Sequence, residues 1–128
     1  MQGPIPILKI GTTLLASVQV ELKDTIIDGF QNDLLTMIEK TGATGLIIDI
    51  SGLQMVDSYV ARKLADTSKM AQLMGASTVL VGIRPEVAAT LVRMGYMLSG
   101  VTTALSLAEG LEMLGQAIVK IDIKQAGR

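Results

Sequence analysis

The amino-acid sequence predicts an α/β domain with a mixed sheet of about five strands and about four helices, in the order β β α β α β α β α. Short apolar runs rich in β-branched residues alternate with amphipathic segments of helical period. Glycine or proline marks most of the boundaries between them. The length of 128 residues suits a single domain, residues 1–128.

The N-terminal part predicts a hairpin followed by a helix. Residues 7–10 and 13–20 have the character of strands, and Gly11-Thr12 separates them. A helix is predicted over residues 24–41, with Gly42 as its stop. The apolar positions that define these two patterns are Leu14, Ala16, Val18 and Val20 in the strand and Ile27, Phe30, Leu34 and Ile38 in the helix.

The remaining strands and helices alternate. Strands are predicted over residues 45–50 and 77–83, with a short apolar segment near Val101. Helices are predicted over residues 57–74, from Pro85 to Gly95, and from a capping box at Ser106. Their apolar faces comprise Val60, Leu64, Ala71 and Met74, then Val87, Leu91 and Met94, and lastly Leu107, Leu111, Leu114 and Ile118. Most of the methionines are interpreted as packing residues, because several lie on or beside apolar faces: Met37, Met70, Met74 and Met94. Because the sheet is small, we expect the helices to cover one of its faces.

The composition argues against catalysis and against a metal or cofactor. The chain contains no cysteine and no histidine, so it lacks the commonest general base and the commonest transition-metal ligand. Asp49 and Asp57 are conceivable as a carboxylate pair, but no activated nucleophile is visible beside them. The aspartates do not follow a calcium-loop pattern. We therefore predict no enzyme activity, no metal and no cofactor.

Charge and hydropathy exclude two classes of partner. The net charge is −1 and the charges are interspersed, which does not favour binding to nucleic acid. No run of about 20 apolar residues is present, so no membrane span is predicted. The N-terminus lacks a secretory signal, which favours a cytoplasmic location for the whole chain.

Asp57-Ser58 lies where a loop becomes a helix. Local chemistry favours a helix cap, in which either side chain accepts a hydrogen bond from a free backbone N–H. Arg84, which precedes another helix start, is compatible with an anion site or with a solvated loop charge. A small-ligand sensor or an uncharacterised hydrolase remains open at this point.

A longer stretch changes the interpretation of Ser58. Residues 45–61 read Gly-Leu-Ile-Ile-Asp-Ile-Ser-Gly-Leu-Gln-Met-Val-Asp-Ser-Tyr-Val-Ala, and Leu73-Met74-Gly75-Ala76 follows further on. This stretch resembles a STAS domain, the fold of anti-anti-sigma factors, and the resemblance covers residues 4–120. It implies that Ser58 is the phosphoacceptor at the start of the second helix, with Asp57, Tyr59, Asp49 and Arg84 as the surrounding partner-binding residues.

The details resemble the single-domain RsbS-type members, which are stressosome scaffolds. Simple anti-anti-sigma factors continue the Asp-Ser pair with a small hydroxyl residue, Gly and Leu, whereas Tyr59-Val60-Ala61 follow here. No residues for a sensory domain precede Ile5, unlike in RsbR-type paralogues. The resemblance implies an RsbT-type serine/threonine kinase, RsbR-type partners in a large assembly, a resetting phosphatase and a role in stress-response signalling. A simple anti-anti-sigma factor is the alternative. Thr90 matches a second phosphorylated position of RsbR-type chains and is equally interpretable as a helix-surface residue.

Overall fold

A β-hairpin opens the chain in the computed structural model, which describes residues 3–94 and 101–115. Strand β1 (Ile7–Ile10) pairs antiparallel with β2 (Thr13–Ser17). Gly11 has a φ of 60°, a conformation that suits glycine in a two-residue hairpin turn. Strand β2 is shorter than predicted: Val18 is still buried and its N–H donates to the Asp49 carbonyl at 2.9 Å, but Val20 is exposed.

The first helix confirms the sequence prediction. Helix α1 is Asp24–Thr41, and its four predicted apolar positions are all buried. Gly42 adopts the left-handed conformation with a φ of 67°, and its N–H donates to the Ile38 carbonyl. This cap ends the helix because the left-handed turn costs glycine no steric penalty.

Three further strands join the hairpin in sequence order. Strands β3 (Gly45–Asp49), β4 (Ser77–Val81) and β5 (Thr102–Ala104) run parallel to β2, and the sheet order is β1-β2-β3-β4-β5. Helix α2 (Ser58–Leu73) connects β3 to β4, and α3 (Pro85–Arg93) follows β4. Residues 107–115 form a last helix, α4. The predicted order of elements is therefore confirmed.

The three helices α1, α2 and α3 pack on one face of the sheet. Because each parallel strand is added on the same side of the previous one, right-handed crossovers bring every connecting helix to that face. The core between these layers contains the alternate strand residues Leu14, Ala16, Leu46, Ile48 and Leu80. All five of these side chains are at most 2% exposed, so this face forms the main core.

Helix α4 covers the opposite face, so the expectation that helices cover one face is wrong. A second cluster there joins Ile47, Val79 and Val81 with Leu114 of α4. Gly110 lies so close to the sheet that an added Cβ would stand 3.0 Å from the Val81 Cγ1 atom. Helix α4 follows β5, and up to residue 115 no further parallel strand comes after it, so the handedness rule does not place it.

The ends of the helices show where the pattern analysis failed. Met37 and Met94 pack partly against the core, whereas Met70 and Met74 are each 42% exposed, so the prediction that Met74 lies on the buried face of α2 is wrong. Met74 follows the last residue of α2, so the helical spacing no longer determines which way its side chain points. Ser106 does cap α4, since its Oγ accepts the Glu109 N–H at 3.2 Å. Gly95 and Ile118 lie outside the described residues.

No helix in the described parts of the chain is both long enough and apolar enough to cross a membrane.

Candidate functional site

The loop of residues 51–56 delivers Asp57 and Ser58 to the start of α2. Asp57 has an extended backbone, with φ −89° and ψ 177°, and its Oδ1 accepts the Val60 N–H at 2.8 Å. The first N–H groups of a helix have no intrahelical acceptor, and this carboxylate satisfies one of them. Asp57 is therefore the cap, and Ser58 is the first helical residue.

Ser58 is free of the capping role and is exposed to solvent. Within residues 3–94 and 101–115, its hydroxyl has no hydrogen-bond partner. No acidic side chain occupies the first turn of α2. The hydroxyl is thus accessible to an incoming group, and the positive end of the helix dipole lies beneath it. No histidine in the chain can activate it as a nucleophile.

Asp49 and Arg84 hold the loop that precedes Ser58. The Asp49 Oδ1 accepts the Ser51 N–H at 2.9 Å, and the Arg84 Nε donates to the Ser51 carbonyl at 2.9 Å. Gly82 lies against the same loop with a φ of 74°, and an added Cβ would stand 2.8 Å from the Ser51 Cβ. Both predicted neighbours of Ser58 therefore act on the loop backbone in this structure.

Tyr59 connects the first turn of α2 to α1. Its hydroxyl donates to the Asp28 Oδ1 at 2.6 Å, and the Lys63 Nζ lies 3.2 Å from that oxygen. The same Nζ lies 5.6 Å from the centroid of the Tyr59 ring. Sequence reasoning named Tyr59 but missed Asp28 and Lys63. The four-residue spacing of Tyr59 and Lys63 was a signal that they share a helix face.

The three side chains perturb one another's protonation. The hydrogen bond from Tyr59, with help from Lys63, lowers the pKa of Asp28. The hydrogen bond to Asp28 raises the pKa of Tyr59, and the negative charge of Asp24 acts in the same direction. The hydrogen bond to Asp28 likewise raises the pKa of Lys63. The cluster is therefore favoured with Asp28 ionised and with Tyr59 and Lys63 protonated.

Tyr59→Phe is expected to change how stability depends on pH. The lowered pKa of Asp28 contributes stability above the unfolded value of about 3.9, and this contribution is lost as pH falls through the folded pKa. The raised pKa of Tyr59 contributes stability below the unfolded value of about 10, and this is lost as pH rises through the folded pKa. We therefore expect the difference in the free energy of unfolding between the wild type and Tyr59→Phe, measured by denaturant unfolding, to become smaller both at low pH and at high pH. A difference independent of pH would contradict the cluster.

Thr90 is bonded within its own helix. Its hydroxyl donates to the Glu86 carbonyl at 2.9 Å and accepts from the Arg93 Nη2 at 3.4 Å. The side chain is partly buried. This arrangement is that of a helix-surface threonine. Its hydroxyl would have to break both of these hydrogen bonds before it could be phosphorylated.

The described residues contain no group of three acidic side chains arranged to hold a metal ion. On the loop three residues before Ser58, Met55 is 85% exposed. An exposed methionine on the loop before an exposed serine is typical of a surface that another protein covers. The geometry thus favours a binding surface.

Comparisons with known proteins agree with this fold. The family model described as STAS domain matches residues 5–110. RsbT co-antagonist protein RsbRA of Bacillus subtilis is 39% identical over 93 residues, which cover 70% of this chain and 34% of that protein. The chain therefore spans about a third of the length of RsbRA.

Two solved structures cover most of the chain. The S58E variant of RsbS from Moorella thermoacetica has a TM-score of 0.80 at 39% identity and covers 91% of this chain and 98% of its own. A chain from a structure describing the molecular architecture of the stressosome has a TM-score of 0.77 at 42% identity, and covers 88% of this chain and 98% of its own. Because the family model matches well over half of its residues, this chain belongs to the STAS domain family.

Proposed function

We propose that this protein is an RsbS-type scaffold of a stressosome that sequesters an RsbT-type serine/threonine kinase and releases it when Ser58 is phosphorylated. The observation that carries the proposal is the exposed Ser58 hydroxyl, left without a partner in the described residues because Asp57 caps the helix. The similarity to an RsbS chain along 98% of that chain's length supports it. That relative was solved with glutamate in place of a serine numbered 58.

The switch has a simple physical basis. Phosphorylation adds about −1.5 to −2 charges and three acceptor oxygens at a position that carried a neutral hydroxyl. The helix start tolerates this charge because its backbone N–H groups point towards it, while the Asp57 carboxylate opposes it. Phosphorylation therefore acts mainly on the docked kinase. The surface around Ser58 fits the kinase when the hydroxyl is neutral and fits it poorly once the phosphate is present.

The proposed partners follow from the same similarity. RsbR-type STAS proteins co-assemble with the chain into a large particle, the kinase docks on that particle, and a separate phosphatase restores Ser58. The chain acts by binding and contributes no catalysis, metal or cofactor, and it works in the cytoplasm within a stress-response pathway. A simple anti-anti-sigma factor is disfavoured because Tyr59, a large residue, follows the serine.

Mass spectrometry tests the proposal directly. Incubation of the purified chain with an RsbT-type kinase and ATP should add phosphate mainly at Ser58, because that hydroxyl is exposed and has no hydrogen-bond partner among the residues that the structure describes. Ser58→Ala should abolish this label. Thr90→Ala is the matched control and should leave it unchanged, since the Thr90 hydroxyl is engaged with the Glu86 carbonyl. Labelling confined to other residues would refute the assignment.

A further inference from the structure

Tyr59 is held in one orientation beside Ser58. Its backbone lies in the first turn of α2, and its hydroxyl donates to the Asp28 Oδ1 on α1 at 2.6 Å. Lys63, one turn further along α2, contacts both the Asp28 carboxylate and the Tyr59 ring. The tyrosine side chain is therefore fixed at both ends, yet 38% of the residue remains exposed. An aromatic ring that is exposed and already ordered loses little conformational entropy when a partner covers it.

The contact between Tyr59 and Asp28 is not needed to join the two helices. Helices α1 and α2 share buried apolar residues of the main core, including Leu34 and Leu64. A second polar contact, from the Gln31 Nε2 to the Thr67 Oγ1 at 2.9 Å, also joins them. Exposed charged contacts add little to stability in water. The visible consequence of the Tyr59 contact is therefore the position of the ring.

The position of the ring bears on Ser58 itself. Tyr59 is the next residue in the chain, and consecutive residues of a helix point about 100° apart, so the ring lies on the neighbouring face of the first turn of α2. A protein interface of ordinary size buries about 800 Å² on each partner, so a partner that covers Ser58 also covers the exposed part of the ring. Tyrosine is among the residues that most often dominate binding at protein interfaces. The sequence offers three aromatic residues in total, so such a ring at this place is a distinctive surface feature.

We propose that Tyr59 is a specificity-determining contact for the kinase, and that Asp28 and Lys63 are positioning residues that hold its ring. This inference rests on the proposed function, since it concerns recognition of the same serine. The kinase would have a complementary apolar recess beside the position where Ser58 enters. A STAS domain with a small residue after its serine would leave that recess unfilled and would be a poor substrate.

Steady-state phosphorylation of Ser58 by a purified RsbT-type kinase tests this inference. Tyr59→Ala is expected to raise KM about 30-fold with kcat nearly unchanged, because the ring contributes equally to ground-state and transition-state binding. Tyr59→Phe and Asp28→Ala keep the ring but release it, and each should raise KM by about threefold to fivefold. The double variant Tyr59→Phe/Asp28→Ala should be no worse than either single change, since both remove one contact.

Three controls separate positioning from simple loss of stability. Gln31→Ala breaks the contact between the Gln31 Nε2 and the Thr67 Oγ1, which joins α1 and α2 away from Tyr59, and should leave KM unchanged. Leu73→Ala removes an 89% exposed apolar side chain at the far end of α2 and should also have no effect. Asp28→Asn retains an oxygen that can accept from the Tyr59 hydroxyl, so it should restore most of the wild-type KM. Circular dichroism of every variant confirms that the domain is folded.

The outcomes distinguish this inference from the proposed function. If wild-type Ser58 is phosphorylated and Tyr59→Ala has a KM within twofold of wild type, the inference is overturned and the proposed function stands. If Gln31→Ala raises KM as much as Asp28→Ala, the effect comes from helix packing, and the positioning role is wrong. If the kinase neither binds nor phosphorylates the wild-type chain, both proposals fail together.

Discussion

Ser58→Glu is expected to bind the kinase at least about 30-fold more weakly than the wild-type chain, whereas Ser58→Ala should bind as tightly and fail to release it on addition of ATP. The reason is the cost of burying an unpaired negative charge where the complex accommodates a neutral hydroxyl. Isothermal titration calorimetry measures the affinities, and gel filtration of the preformed complex after addition of ATP measures release.

Two controls make this result interpretable. Thr90→Glu places the same charge on α3 and should leave affinity near the wild-type value. Glutamate at the first position of α2 is favourable to the helix dipole, so Ser58→Glu should unfold at a denaturant concentration no lower than that of the wild type. Equal affinities for the Glu, Ala and wild-type proteins would show that Ser58 does not govern binding.

Gly82→Ala is expected to have a large effect on both stability and phosphorylation. The φ of 74° disfavours any residue with a Cβ, and that Cβ would stand 2.9 Å from the Asp49 Oδ1 and 2.8 Å from the Ser51 Cβ. We expect the backbone conformation to cost about 1 kcal/mol and the close contacts a further cost of about 1–3 kcal/mol. Relief of these contacts shifts the loop that delivers Ser58, so kcat/KM for phosphorylation should fall as well.

Gly11→Ala is the matched control for this prediction. Gly11 has a similar φ of 60°, but an added Cβ there meets no atom within 4 Å. It should show the backbone cost of about 1 kcal/mol alone, with phosphorylation unchanged. Urea unfolding measures the free energy of unfolding of both variants. Equal losses in the two would show that the close packing of Gly82 against the loop does not contribute to stability.

The parts of the fold that depend on short-range patterns could be predicted from the sequence. Helix α1 has the predicted bounds because its apolar period and its stop at Gly42 are both local. The order of strands and helices was likewise visible in alternating blocks. The shorter β2 and the exposed Met74 could not be predicted in this way. The apolar spacing continues to Val20, beyond the end of β2, and to Met74, beyond the end of α2, but the structure no longer buries those two positions.

Long-range features were beyond sequence reasoning. Asp28 and Tyr59 are 31 residues apart, and only the packing of α1 against α2 makes them neighbours. The face that α4 covers was also undetermined, since both faces of β3 and β4 are apolar and the described residues include no strand after α4 that would fix its side. At the site, aspartate and serine are both good caps, so the sequence left the roles of Asp57 and Ser58 undivided until the geometry assigned them.

The sequential order of the five strands has a consequence for how the domain is made. In the described residues, each strand pairs with the strand that precedes or follows it along the chain, so each pairing closes a loop of one connecting segment. The contact order is therefore low for a largely parallel sheet, which favours rapid folding. During synthesis, each emerging strand and helix can add to a surface already formed, with no need to wait for the C-terminal residues. The unpaired edges of the growing sheet are therefore open to aggregation for only a short time.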